Sequence, residues 1–147
     1  MAMKRFGLAF TILLSWLVAS ATPVSAQSYA DLVWEQLKTA YTWADNEGYS
    51  TRNYIVGNLD DGATDTWTLT FYQGNSYLIV GACDGDCLDI DMALQDANGV
   101  NIDSDTLEDD QPVLRVTPGS TADLSVEVTM YDCKVDPCYF GFGIFVK

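Results

Sequence analysis

Leu88-Asp89-Ile90-Asp91-Met92-Ala93-Leu94 is the stretch that decides the fold. Apolar and acidic side chains alternate along it, the period of a strand with one face in a core and one in water. The pattern predicts Leu88, Ile90, Met92 and Leu94 inward and Asp89 and Asp91 on the wet face. Upstream, Trp67, Leu69 and Phe71 alternate with Thr66, Thr68 and Thr70, and Gln73-Gly74-Asn75-Ser76 reads as a turn. Tyr77-Leu78-Ile79-Val80 then reads as a strand buried on both faces. Downstream, Asp96-Ala97-Asn98-Gly99 forms the next turn and leads into Val100 and Ile102. Further strands fit Val113 to Thr117, Leu124 to Met130 and Tyr139 to Val146, the first two parted by Pro118-Gly119-Ser120. Short strands at even spacing with turn chemistry between them predict an antiparallel sandwich or barrel.

Before Tyr54 the period is helical. Tyr29, Leu32, Val33, Gln36, Leu37, Ala40 and Tyr41 share one face, with Trp34 and Trp43 adding apolar surface. Ser28 and Asp31 have capping-box spacing, and Gly48 follows the polar exit Asp45-Asn46-Glu47. Such a face is expected to pack on the protein's own sheet.

Residues 1–26 have the order of a secretory signal. Lys4 and Arg5 precede an uncharged apolar run from Phe6 to Val18, and small residues follow, with Val24 and Ala26 at the cleavage positions. The run is shorter than the about 20 apolar residues of a spanning helix. No cysteine precedes Cys83, so no lipid anchor is expected there. The chain divides into a signal (1–26), a helix and linker (27–50) and a β-sandwich (51–147), with no membrane insertion after cleavage. The full sequence carries a net charge of −14, and loss of Lys4 and Arg5 takes it to −16. That field repels nucleic acid and anionic lipid, so neither is an expected partner.

Four cysteines in an exported chain read as two disulfides. Three pairings are open. Cys83 with Cys87 and Cys133 with Cys138 is the expected one, because each pair brackets a turn. Zinc is the competing use of paired cysteines, but the spacings are not C-x2-C and the chain has no histidine. Absence of histidine also removes Ser–His–Asp and Cys–His catalysis. No nucleophile–base set is readable, so no catalytic residue is assigned. A carboxylate pair of the glycosidase kind is the remaining enzymatic alternative.

Two acidic loops are candidates for calcium, a cation that takes six to eight oxygens. One is Asp60-Asp61-Gly62-Ala63-Thr64-Asp65, with Asp60, Asp61 and Asp65 as ligands. The other is Asp84-Gly85-Asp86 with Asp89 and Asp91. Asp103, Asp105, Glu108, Asp109 and Asp110 read as a solvated charge run.

Between Val56 and Phe145 the chain resembles the bacterial pre-peptidase C-terminal domains and the related collagen-binding domains of clostridial collagenases. The resemblance rests on Gly57-Asn58-Leu59, Asp65-Thr66-Trp67-Thr68-Leu69, Gly74-Asn75-Ser76-Tyr77-Leu78-Ile79, and Leu88 to Leu94 with Asp96-Ala97-Asn98-Gly99. It implies a jelly-roll-like β-sandwich, non-catalytic and appended to secreted enzymes. It also implies calcium on carboxylates of the first-strand loop, where Asp65 and Asp61 match. The cysteine pairs are not a general family feature, and a helix stands where the relatives have an acidic linker. Together these readings lead to a mainly β, exported, non-catalytic binding module with one N-terminal amphipathic helix. Its expected partner is an extracellular or envelope protein or polymer. An accessory role or a small secreted hydrolase using carboxylates is the alternative.

Overall fold

The computed structural model describes residues 26–147. The signal sequence read over 1–26 therefore lies outside the described residues, apart from Ala26. One helix, α1 (Ala26–Asn46), precedes eight strands: β1 (Ser50–Leu59), β2 (Thr64–Phe71), β3 (Tyr77–Cys83) and β4 (Cys87–Gln95), then β5 (Asn101–Asp105), β6 (Val113–Val116), β7 (Ala122–Cys133) and β8 (Cys138–Val146). They form two four-stranded antiparallel sheets, in the orders β1-β8-β3-β6 and β2-β7-β4-β5. Eight strands divided between two sheets in this order make a jelly roll: the sandwich is what the sequence pattern predicts, and the jelly-roll order is what the resemblance implies.

Alternation along the strands builds the interior. Phe140, Phe142 and Ile144 of β8 point between the sheets and meet Ile90, Met92, Leu94, Val126, Val128 and Met130 from the opposite side. The Trp67 ring stands edge-on to Phe140 and Phe142, at 5.6 and 5.5 Å. Burying each such side chain contributes about 1.5–3 kcal/mol, so the interleaved faces hold the sandwich.

The other face of the first sheet is covered by α1, giving a third layer. Every residue of β3 is buried, which is why Tyr77 to Val80 reads as a continuous apolar run. Under the helix β8 places Gly141, and a Cβ there would lie 2.9 Å from Leu37 Cδ1 and 3.0 Å from Val33 Cγ1. Val33, Leu37 and Ala44 are buried at this contact. The helix begins upstream of the expected cap, so Ser28 lies in its first turn. It ends as expected: Gly48 takes φ 82°, the left-handed conformation glycine adopts freely, while the Tyr49 N–H returns to the Ala44 carbonyl at 2.9 Å.

Side chains manage the sheet edges. The Arg115 N–H donates to Asp103 Oδ2 (2.7 Å) and the Val113 N–H to Asp105 Oδ2 (2.9 Å), which ties edge strand β6 to edge strand β5 of the other sheet. Asp109 accepts the Gln111 N–H on its carboxylate and the Ile90 N–H on its carbonyl. Asp103, Asp105 and Asp109 thus serve as backbone acceptors, which corrects the reading of these three residues as a solvated run. On the far edge, Asn53 and Asp65 accept the N–H groups of Tyr54 and Thr66, which leaves fewer free donors for strand addition.

Both disulfides are local, Cys83–Cys87 and Cys133–Cys138, and no cysteine is free among the described residues. Between β4 and β7 the ladder pairs Cys87 with Cys133, Asp89 with Asp132, and Ile90 with Met130. Leu88 on one strand and Tyr131 on the other are therefore extra residues, two opposed bulges. A one-residue slip exchanges the faces of a strand. The expectation for Leu88 and Asp89 is reversed accordingly: Leu88 is 44% exposed and Asp89 only 8%.

Candidate functional site

The acidic loops were the first candidates. Asp60 and Asp61 occupy the β1–β2 turn, and Asp65 is the second residue of β2. Asp61 Oδ1 accepts the Cys133 N–H (2.9 Å), and the Asp61 N–H donates to Asp136 Oδ1 (2.7 Å), which fastens this turn to the β7–β8 hairpin. Asp65 Oδ1 is turned back onto the Thr66 N–H at 2.7 Å. Among the described residues no three Asp, Glu or Cys side chains are grouped to hold a metal ion. In the second loop Asp84 is buried and committed to the backbone: Oδ1 accepts from Asp86 and Cys87, and Oδ2 from Tyr139 at 2.8 Å. The Asp84 carboxylate organises the turn closed by the first disulfide.

Two concave surfaces lie elsewhere. On the helix side, Trp34, Leu37 and Tyr41 of α1 face Thr51 and Tyr54 of β1 across a cleft of about 320 Å³, with Gly143 and Phe145 of β8 also lining it. Its walls are almost wholly apolar. Trp34 and Tyr54 hold their ring centroids 4.9 Å apart, tilted by 52°. A Cβ on Gly143 would fall 2.8 Å from Phe145 Cζ, so glycine there leaves room for that ring. Trp34, Tyr41 and Tyr54 all remain exposed.

On the opposite sheet, the paired bulges frame an acidic depression of about 650 Å³, lined by Leu88, Asp89, Asp91, Glu108, Tyr131 and Asp132 together with Thr106. Burial raises the Asp89 carboxyl above its ordinary range, Glu108 adds repulsion, and a backbone hydrogen bond from Asp109 opposes the shift. Asp91 is raised by burial, then by the charges of Asp89 and Asp105. Asp89 Oδ1 is buried and meets no hydrogen-bond donor.

Sequence reading found the aromatic residues of the cleft as a helix face, without their exposed arrangement. It placed Asp89 on a wet face and so missed the depression. The sequence signal was the acidic group that included Asp89 and Asp91, and their placement in the depression is set by the register of β4 with β7. No protein-family model and no curated protein matches the chain.

Proposed function

We propose that this chain is an exported, non-catalytic jelly-roll binding module that engages an extracellular or envelope protein or polymer through the α1–β1 cleft. The cleft itself carries the reading. A concavity of about 320 Å³ walled by Trp34, Tyr41, Tyr54 and Phe145, with Lys38 its one charged lining residue, has the size and apolar lining of a ligand site. Two disulfides fit an oxidising compartment. No described helix is long and apolar enough to cross a membrane. The jelly-roll order agrees with what the resemblance to pre-peptidase C-terminal domains implied. Titration with a ring-bearing probe such as indole tests the cleft: amide shifts should cluster at Trp34, Thr51 and Tyr54 and vanish in Trp34→Ala. Shifts scattered over both sheets would refute it.

Calcium on Asp60, Asp61 and Asp65 stays part of the proposal, with Asp61 Oδ2 as the oxygen left after the Cys133 bond. It requires a Tm that rises in millimolar Ca²⁺ and loses the rise in Asp65→Asn. Equal melting in calcium and in chelator would remove calcium from the proposal.

One observation favours the hydrolase alternative. Asp89 and Asp91, both raised by burial, share the depression with Glu108 and Asp132, and a carboxyl raised by its surroundings among other carboxylates is what a glycosidase acid requires. Release of reducing ends from a polysaccharide, lost in Asp89→Asn, would establish it; no release by the wild type leaves the binding module.

A further inference from the structure

The acidic depression lies on the sheet opposite the cleft and stands independently of it. Its walls hold four carboxylates, Asp89, Asp91, Glu108 and Asp132, and no basic side chain. The one ion pair among the described residues, Lys38 with Glu35, is on α1. The depression therefore lacks an internal counter-charge in a chain that is already strongly acidic. Asp89 is more than nine-tenths buried, yet its Oδ1 has no donor. A buried carboxylate oxygen left unsatisfied is costly, and such atoms are rare in native proteins.

The shape of the site selects the kind of cation. A bare divalent ion needs several oxygens converging at 2–2.6 Å, and no three acidic side chains are so grouped among the described residues. The volume, about 650 Å³, is far larger than an ion. At its margin the two bulged residues, Leu88 and Tyr131, stand 44% and 66% exposed. They offer an apolar wall for an alkyl stem and a ring face for a cation. A guanidinium has five N–H donors in a planar fork, enough to bond two neighbouring carboxylates of the wall together, whereas an ammonium is a more strongly hydrated point charge.

We propose that the depression between the β4 and β7 bulges receives an arginine side chain of a basic protein partner, the guanidinium bonding to Asp89 with Leu88 and Tyr131 flanking its stem. The partner class follows from charge complementarity: the acidic field steers a basic surface towards the site, and bulges re-aim the two side chains that would grip it.

The test is a titration of the ¹⁵N-labelled exported protein with a blocked Gly-Arg-Gly peptide, with its citrulline and lysine counterparts as comparisons. Saturable shifts at Leu88, Asp89, Tyr131 and Asp132 are expected for the arginine peptide, with a Kd on the order of 1 mM for so small a probe. The citrulline peptide should give no saturable shifts there, and the lysine peptide should bind several-fold more weakly. Asp89→Asn should weaken arginine binding by about tenfold or more, while Asp45→Asn on the helix should leave it unchanged. Tyr131→Ala, at an exposed position, should weaken it several-fold and gives the test a second, independent variant. Equal response to arginine and citrulline, unaltered affinity in the folded variants, displacement of the peptide by a single tightly bound Ca²⁺, or reducing-end release that depends on Asp89 would each overturn the proposal.

Discussion

Gly141→Ala probes a close approach between α1 and the sandwich. The added Cβ would lie 2.9 Å from the Ile55 carbonyl oxygen, 2.9 Å from Leu37 Cδ1 and 3.0 Å from Val33 Cγ1. The two side chains can yield, but the carbonyl cannot move freely, because Ile55 and Val56 belong to the β1–β8 ladder opposite Phe142 and Gly141. Overpacking of this kind costs about 1–3 kcal/mol. Replacing a strand glycine returns about 0.5–1 kcal/mol of backbone entropy. A net loss of about 1–2 kcal/mol is expected, equivalent to a Tm lower by on the order of 5 °C for a domain of this size. Thermal and urea denaturation followed by circular dichroism and tryptophan emission measure it. Gly119→Ala is the control, since nothing lies within 4 Å of its Cβ position, and it should melt at or slightly above the wild-type Tm. Equal Tm values for Gly141→Ala and the wild type would refute the close seating of the helix on β8.

Three further outcomes are expected. Burial and then Glu108 raise the folded-state pKa of Asp89, so its favourable contribution is complete below the unfolded value near ~3.9 and is lost as pH rises through the raised one. Asp89→Asn should therefore stabilise the protein at pH 7 and lose that advantage by about pH 3; a pH-independent loss in paired melting curves would oppose this. Asp105→Ala leaves the Val113 N–H without its acceptor and should cost about 1–3 kcal/mol in urea unfolding, with β6 amides exchanging first in hydrogen–deuterium exchange. Reduction of both disulfides opens loops of only four and five residues in sequence separation, each worth less in the chain-entropy model than the about 3 kcal/mol of a 15-residue loop. Far-UV circular dichroism should stay native on mild reduction, and a global transition would contradict the local role of the bridges.

Much of this fold was legible because its strands obey the simplest rule. Trp67, Leu69 and Phe71, or Phe140, Phe142 and Ile144, alternate without interruption and point where the period places them. The helix was legible too, since Val33 and Leu37 recur at helical spacing. What escaped depends on pairing between distant residues. Leu88 and Asp89 follow the alternation perfectly in sequence, yet opposed bulges at Leu88 and Tyr131 exchange their faces, and only the β4–β7 register shows this. The acidic run from Asp103 to Asp110 looked solvated because nothing local shows that β6 offers N–H groups to Asp103 and Asp105 across the sandwich edge. The cleft escaped for a related reason: Tyr54 meets Trp34 only once β1 lies beside the helix.

The most direct test of the proposed binding role is site-specific photo-crosslinking in the intact producing cell. A photo-reactive phenylalanine analogue at Thr51, on the wall of the cleft, is compared with the same side chain at Val100, an exposed site in the β4–β5 turn. One discrete adduct is expected from position 51, absent at position 100 and lost when Trp34→Ala is added. The same adducts from both positions, or an adduct at position 51 that survives Trp34→Ala, would contradict a binding module that works through the α1–β1 cleft.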